Sequence, residues 1–398
     1  MWPLVLMLAM VLAGCQTSLF KNGGQQADST QNSTDSAQQS STNPPPSVFN
    51  TPKKPVGNYK ASKVTGTYAG KKSVNRFIDT MVKKHDFDRR WLNGLFSTVQ
   101  RQNKSIRLMD RYAPSKKKKN RPADYVGQPG RGSWSRYRRQ FINDKNLQRG
   151  TEFWLSHKST LRRVEREYQV PAHVIVGIIG VETRWGRITG DYVVLDTLST
   201  IAFDYPRRSA YFTKELEEFL LMSREEGVDP RTPRGSYAGA MGLGQFMPSS
   251  FRKYAVDYSR DGVRDLMNPK DAIASVANYF KAHGWKPGED VAVRANKSGS
   301  AYRKVKWGYS SNYTLRELSR VGVKPRKKIK TNEVSLLRFA NYKSDEVWLG
   351  LNNFYVITRY NRSSKYAMAV YQLGEQLNKR VRPAKSASRE SLLVLGES

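Results

Sequence analysis

The sequence predicts a mainly α fold with a small β-containing part, an α+β architecture, and three observations carry that reading. Apolar residues recur at helical spacing over most of the stretch from Lys72 to His283. Pro171 and Pro248 fall where helices should start, and Gly186 and Gly190 where one should stop. The later stretch 333 to 360 turns to β-branched and aromatic residues (EVSLLRF, VWLGLN, YVITRY) and reads as strands.

Taken in order, Val74, Phe77, Ile78, Met81 and Val82 mark the first amphipathic helix. Further helices are expected at 91 to 108, 135 to 168 with breaks, 171 to 183, 208 to 226, 248 to 255 and 271 to 283. Ahead of them, residues 15 to 65 are rich in Ser, Gln, Thr, Asn and Pro. They hold too little apolar surface to offset the entropy of ordering, and read as a tether. SKKKKNRP, 115 to 122, reads as a solvated loop, and 379 to 398 as a flexible tail, which leaves 66 to 378 as the folded region.

The chain has 398 residues, enough for more than one core, and a formal net charge of +34 from 68 Lys and Arg against 34 Asp and Glu. Such a balance predicts an anionic partner: nucleic acid, anionic lipid or anionic wall polymer. The first fifteen residues, MWPLVLMLAMVLAGC, choose among these. They form an apolar run too short to span a bilayer and suited to an export signal, residues 1 to 14, so nucleic acid is disfavoured. No Lys or Arg precedes that run, which leaves room for a start upstream of Met1. LAGC looks like a bacterial lipobox, in which Cys15 carries lipid. With one cysteine, intrachain disulfides and zinc-thiolate clusters are excluded, and the four histidines form no metal pair.

The chemistry centres on GIIGVETRWGR, 177 to 187. Glu182 ends an apolar run, where burial should raise its pKa until it holds a proton near neutrality, as a general acid must. A plain ion pair with Arg184 or Arg187 is the competing reading. RGSYAGAMGLGQFMPSSF, 234 to 251, lacks the order of a phosphate loop. Its glycines instead allow close approach of a bulky polar ligand to main chain, with Gln245, Ser236 and Tyr237 for hydrogen bonds. DYSRDGVRDLMNPKD, 257 to 271, follows a calcium-loop pattern, with Asp257, Ser259, Asp261 and the Val263 carbonyl at alternate positions. Asn268 replaces the usual glutamate, and Arg260 and Arg264 should weaken binding, so Ca2+ or Na+ could occupy it.

VETRWGRITGDYVVLDTLSTIAFDYPRRSAYF, SYAGAMGLGQFMPSSF and DAIASVANYFKAHGW resemble the lysozyme-like lytic transglycosylase family, in its membrane-bound murein transglycosylase B branch. The resemblance implies a lysozyme-like catalytic core with an added helical region. It implies cleavage of peptidoglycan between N-acetylmuramic acid and N-acetylglucosamine, with a 1,6-anhydro ring formed on the muramic residue. Glu182 would be the sole catalytic residue, and no cofactor is required. Carried over, Tyr137, Arg207, Arg208, Ser236, Gln245, Phe246, Tyr279, Tyr360, Asn361 and Tyr366 fall where sugar-binding residues are expected, and Asp271 takes the last position of the metal loop. The family's setting implies a lipid anchor on the periplasmic face of the outer membrane, with wall-synthesis or division proteins as partners. Two other readings stay open: a lysozyme using a second carboxylate among Asp191, Asp196 and Asp204, and a non-catalytic murein-binding lipoprotein.

Overall fold

The structure is a computed structural model that describes residues 54–113 and 130–382. The export signal, Cys15, most of the tether, the basic loop 115 to 122 and most of the tail lie outside these residues; the first residues expected in the tail close the last helix, which runs to Val381, and the described end of the tether packs on the fold, with Val64 buried and Tyr59 Oη donating to Asp229 Oδ1 at 2.7 Å. Among the described residues no helix is long and apolar enough to cross a membrane.

The element order is α1 (Lys72–His85), α2 (Arg89–Ser97), α3 (Asn103–Tyr112), α4 (Ser133–Arg139), α5 (Asp144–Ser156), α6 (Lys158–Tyr168), α7 (Ala172–Thr183), β1 (Tyr192–Val193), α8 (Val194–Asp204), α9 (Ser209–Glu226), β2 (Arg234–Gly235), α10 (Pro248–Tyr254), α11 (Pro269–Ala282), β3 (Ala292–Lys297), β4 (Tyr313–Thr314), α12 (Leu315–Arg320), β5 (Val323–Pro325), β6 (Glu333–Ala340), β7 (Asp345–Gly350), α13 (Asn352–Tyr360) and α14 (Ser364–Val381). The fold is mainly α with a small sheet, as the sequence predicts. The helix expected at 91 to 108 is broken, because residues 98 to 102 turn to meet α8: the Gln100 and Gln102 amides donate to Asp196 Oδ1 and Thr200 Oγ1 at 3.1 and 2.9 Å. The stretch expected at 135 to 168 is three helices.

YVITRY corrects the sequence reading: it lies in α13 and not in a strand. Its apolar residues fall on a helical face, with Phe354, Val356 and Ile357 buried, and Asn353 in the first turn is bonded to the backbone of Lys286 and Glu289. Tertiary packing outweighs the strand preference of Val and Ile there. The five-stranded sheet runs β4-β6-β7-β3-β5, all antiparallel, and β6 is buried on both faces along most of its length. Along β6, Val334 and Leu336 enter a small core with Tyr302, Leu318 and Leu349, whereas Leu337 and Phe339 point into the main core.

The main core is organised around α7, whose Val174, Ile175, Val176, Ile178, Ile179 and Val181 are all fully buried. Its partner is α14, and the two backbones nearly touch. A Cβ added at Gly374 would meet the His173 carbonyl oxygen at 2.3 Å. Val370 lies against Gly177 and Tyr366 against Glu182, so the helices run antiparallel in a fixed register.

Candidate active site

Helix α7 ends sharply after Glu182 and Thr183. Arg184 and Trp185 both take left-handed conformations (φ 52° and 57°), and their amides close back on the Gly180 and Ile179 carbonyls. The Trp185 indole folds onto Gly180, where any side chain would collide with it, and donates to the Val176 carbonyl at 3.1 Å. This cap fixes the last turn. Thr183 is fully buried and ties that turn to the glycine-rich loop: its hydroxyl lies 2.9 Å from the Leu243 carbonyl and accepts from the Gly186 amide. Sequence reading missed Thr183, since a threonine at a helix end gives no signal of a bond to a residue sixty positions on.

Glu182 is half-buried in the last turn of α7. Burial pushes its pKa up to about 7, opposed by a 2.5 Å hydrogen bond that Tyr366 Oη donates to Oε1. The competing ion pair is not formed by Arg184, whose guanidinium reaches Asn146 and the Gln140 carbonyl instead. The Glu182 charge in turn raises Tyr137, Tyr360 and Tyr366, each of which burial already raises. Three tyrosines from α4, α13 and α14 therefore surround one carboxyl group.

Around this centre the structure gathers most of the predicted residues. Tyr360 donates to the Gly244 carbonyl at 2.5 Å, which joins the glycine-rich loop to α13. Phe246 is buried against Tyr279 and Tyr360, with ring centres 5.8 and 5.9 Å away, and Tyr279 commits its hydroxyl to the Arg359 carbonyl. Gln245, left-handed at φ 53°, donates its amide nitrogen to the Thr189 and Gly242 carbonyls, which leaves its oxygen as an acceptor. Ser236 Oγ accepts from the Ala238 and Ala240 amides, which leaves its O–H to donate. Asn361 is buried, and its Oδ1 has no hydrogen-bond partner among the described residues. Arg207 and Arg208 sit in a different set of contacts, on the turn between α8 and α9, with Arg208 over the Tyr211 ring at 4.9 Å.

A second carboxylate for lysozyme chemistry is not on offer from two of the three candidates. Asp196 is buried and paired with Arg231, and Asp204 is held by Lys71, Arg101 and Tyr68 below the usual carboxylate range. Asp191 is exposed in the loop before β1.

In the loop 257 to 271, carboxylate oxygens of Asp257, Asp261 and Asp271 lie within 4.8 Å of one another. Asp271 is fully buried, and accepts from the Tyr258, Ser259 and Asp265 amides. Asn268 instead caps α11 through the Lys270 amide, which separates the two residues considered for the last position. Arg264 turns away to Glu226, with Nε 2.9 Å from Oε1, so its charge is neutralised rather than brought to the loop. Oxygen donors of this kind fit a hard cation.

The transglycosylase SLT domain family matches residues 69–375. Membrane-bound lytic murein transglycosylase B of Escherichia coli (strain K12) is 47% identical over 311 residues, 78% of this chain and 84% of that one. The Escherichia coli lytic transglycosylase SLT35 in complex with bulgecin A is 46% identical, with a TM-score of 0.73 over 80% of this chain and 96% of that one. The same enzyme in complex with calcium is 45% identical, with the same coverage and TM-score. The likeness spans the helical core and the sheet, and makes the catalytic core lysozyme-like. The chain therefore belongs to the transglycosylase SLT family and is a lytic murein transglycosylase, a peptidoglycan-cleaving lyase.

Proposed function

We propose that Glu182 is the single acid and base of this enzyme, and that it cleaves the β-1,4 bond between N-acetylmuramic acid and N-acetylglucosamine without water. The observation that carries the reading is a carboxyl group raised to about 7 by burial and bonded to Tyr366 at 2.5 Å. At neutral pH roughly half of such groups hold a proton. The proton passes from Glu182 to the glycosidic oxygen as the bond to C1 of the muramic residue breaks. The carboxylate left behind accepts the proton of that residue's 6-hydroxyl as O6 bonds to C1. Tyr366 donates to the carboxylate and stabilises it between the two transfers.

No second carboxylate is needed, because the nucleophile comes from the sugar. The Ser236 hydroxyl, the Gln245 oxygen and the unpaired Asn361 Oδ1 are suited to the N-acetyl groups and hydroxyls of the glycan. Tyr137 and Tyr360, both partly exposed, would offer their rings to the reacting sugar over the floor formed by Phe246 and Tyr279, while the buried Tyr366 acts through Glu182. Arg207 and Arg208 would meet carboxylates farther along the strand. Asp257, Ser259, Asp261, the Val263 carbonyl and Asp271 would hold a structural calcium ion, which takes no part in the chemistry. A relative's complex with calcium supports that assignment.

The test is mass spectrometry of muropeptides released from purified sacculi by the protein and by Glu182→Gln. Products lighter by one water than hydrolysed ones, absent with the variant, are expected; reducing-end products would mean hydrolysis. Lipidation of Cys15 and residence on the periplasmic face of the outer membrane complete the proposal. Cys15→Ser should move the protein out of the outer-membrane fraction, and unchanged fractionation would refute the anchor.

A further inference from the structure

Leu266 joins the loop 257 to 271 to the turn that carries Glu182. It follows Asp265, whose amide donates to Asp271 Oδ2 at 3.0 Å, so the chain here is fixed by the buried carboxylate of the loop. The Leu266 carbonyl accepts from the Leu243 amide at 2.9 Å. The Leu243 carbonyl in turn accepts from the Thr183 hydroxyl at 2.9 Å, and Thr183 is the next residue after Glu182. Three hydrogen bonds thus lead from Asp271 to the neighbour of the acid.

Packing follows the same path. Gly242 is left-handed at φ 70°, and a Cβ there would stand 2.3 Å from Leu266 Cβ, so the glycine-rich loop lies directly on that side chain. Leu266 and Leu243 are both buried. Two residues of the site hang from the same short segment: Gln245 donates to the Gly242 carbonyl, and Tyr360 to the Gly244 carbonyl. At the far end Asp257 is tied down as Asp271 is, accepting from the Arg260 and Gly262 amides at 2.7 and 2.9 Å. Carboxylates of Asp257, Asp261 and Asp271 that converge within 4.8 Å repel one another until a cation neutralises them. Relieved of that repulsion the loop is drawn together; left with it the loop spreads, and Asp265 and Leu266 move with Asp271. Close-packed neighbours pass such a displacement on.

We propose that Leu266 is a positioning residue for the reaction: when calcium is held in the loop, it fixes the glycine-rich loop against Thr183 and so sets the last turn of α7. This deepens the readings of Glu182 as the acid and of the loop as a cation site, and rests on both. The cation stays outside the chemistry and acts through two packed leucines and one threonine. With the loop spread, the segment 242 to 245 loosens and water reaches the Glu182 carboxyl, which weakens the burial that raises it. The acid then ionises at lower pH.

Amide exchange of the full chain, read by mass spectrometry with calcium and with a chelator, gives the direct test. Removing calcium should speed exchange about tenfold in 241 to 246 and in 183 to 188, and leave β6 unchanged. Under the same conditions the alkaline limb of kcat/KM on sacculi should fall by about one pH unit, which a cation that only stabilised the fold would not cause. Asp257→Asn should show the chelated behaviour with or without calcium. Leu266→Ala should bind calcium as the wild type does, by calorimetry, yet exchange fast in 241 to 246 with calcium present. Calcium binding with unchanged exchange in 241 to 246, exchange that rises equally in β6, or a limb that stays in place would each overturn the proposal and leave the cation site standing. Absence of calcium binding would remove the site and this proposal with it, whereas activity retained by Glu182→Gln would sink the acid assignment instead, so the failures are distinguishable.

Discussion

Replacing Tyr366 by Phe removes one hydroxyl and keeps the ring, and it isolates the bond that opposes burial at Glu182. That bond is 2.5 Å long and is made to a carboxylate, so it favours the charged form. Hydrogen bonds to charged groups contribute about 1.5 to 3 kcal/mol, and one pKa unit corresponds to about 1.4 kcal/mol. Without it, burial acts unopposed and Glu182 should rise from about 7 to between roughly 8 and 9. The reaction begins from the protonated acid, so activity holds at low pH and falls as pH passes through this value. The expected outcome is an alkaline limb of kcat/KM displaced upward by about one to two units. The plateau should also drop, because a weaker acid gives up its proton less readily. Initial rates of muropeptide release from dilute sacculi, taken from about pH 5 to about pH 10, read both effects. A limb that stays near 7, or moves to lower pH, would refute the assignment of Tyr366 as the donor that tunes Glu182.

The same group makes a prediction about stability. Its folded pKa of about 7 lies above the ordinary 4.5, so the native state favours the proton; wild-type stability is fully present below 4.5 and is lost as pH rises through 7. Glu182→Gln lacks that loss and should be more stable than wild type at pH 8 by up to about 3 kcal/mol, with the gap closing near pH 4. Denaturant unfolding at both pH values checks it, and a gap of equal size at both would refute it. For the loop 257 to 271, calcium at about one hundred times its Kd should stabilise the protein by about 2.7 kcal/mol, and Asp271→Asn should remove most of that gain. Thermal melts with calcium or a chelator read the difference, and a wild-type melt indifferent to both would rule the site out.

The core of the site was legible because α7 is written in one stretch. An unbroken apolar run, a proline before it and a glutamate at its end define both the buried helix and the group whose pKa burial must raise. Asp257, Asp261 and Asp271 were legible for the same reason, being close in sequence. Partners brought in from a distance were not. Nothing in the chemistry of Tyr366 distinguishes it from the other tyrosines; family resemblance pointed to it, and only the pairing of α14 with α7 gives it a hydrogen bond to make. Helix α8 went unread, its Thr, Val and Ile being poor helix formers that packing overrides, and YVITRY was taken for a strand on the same residue types.

The pairing of α7 with α14 also orders events in time. Glu182 and Tyr366 are 184 residues apart, and the register that joins them is set by contacts along the whole length of both helices. A chain that emerges N-terminus first exposes its acid long before the tyrosine that tunes it has appeared. The walls of the site arrive in the same late sequence, with Tyr360 on α13 just ahead of Tyr366. The carboxyl group and the hydroxyl that tunes it thus come together only once α14, the last helix among the described residues, docks on α7.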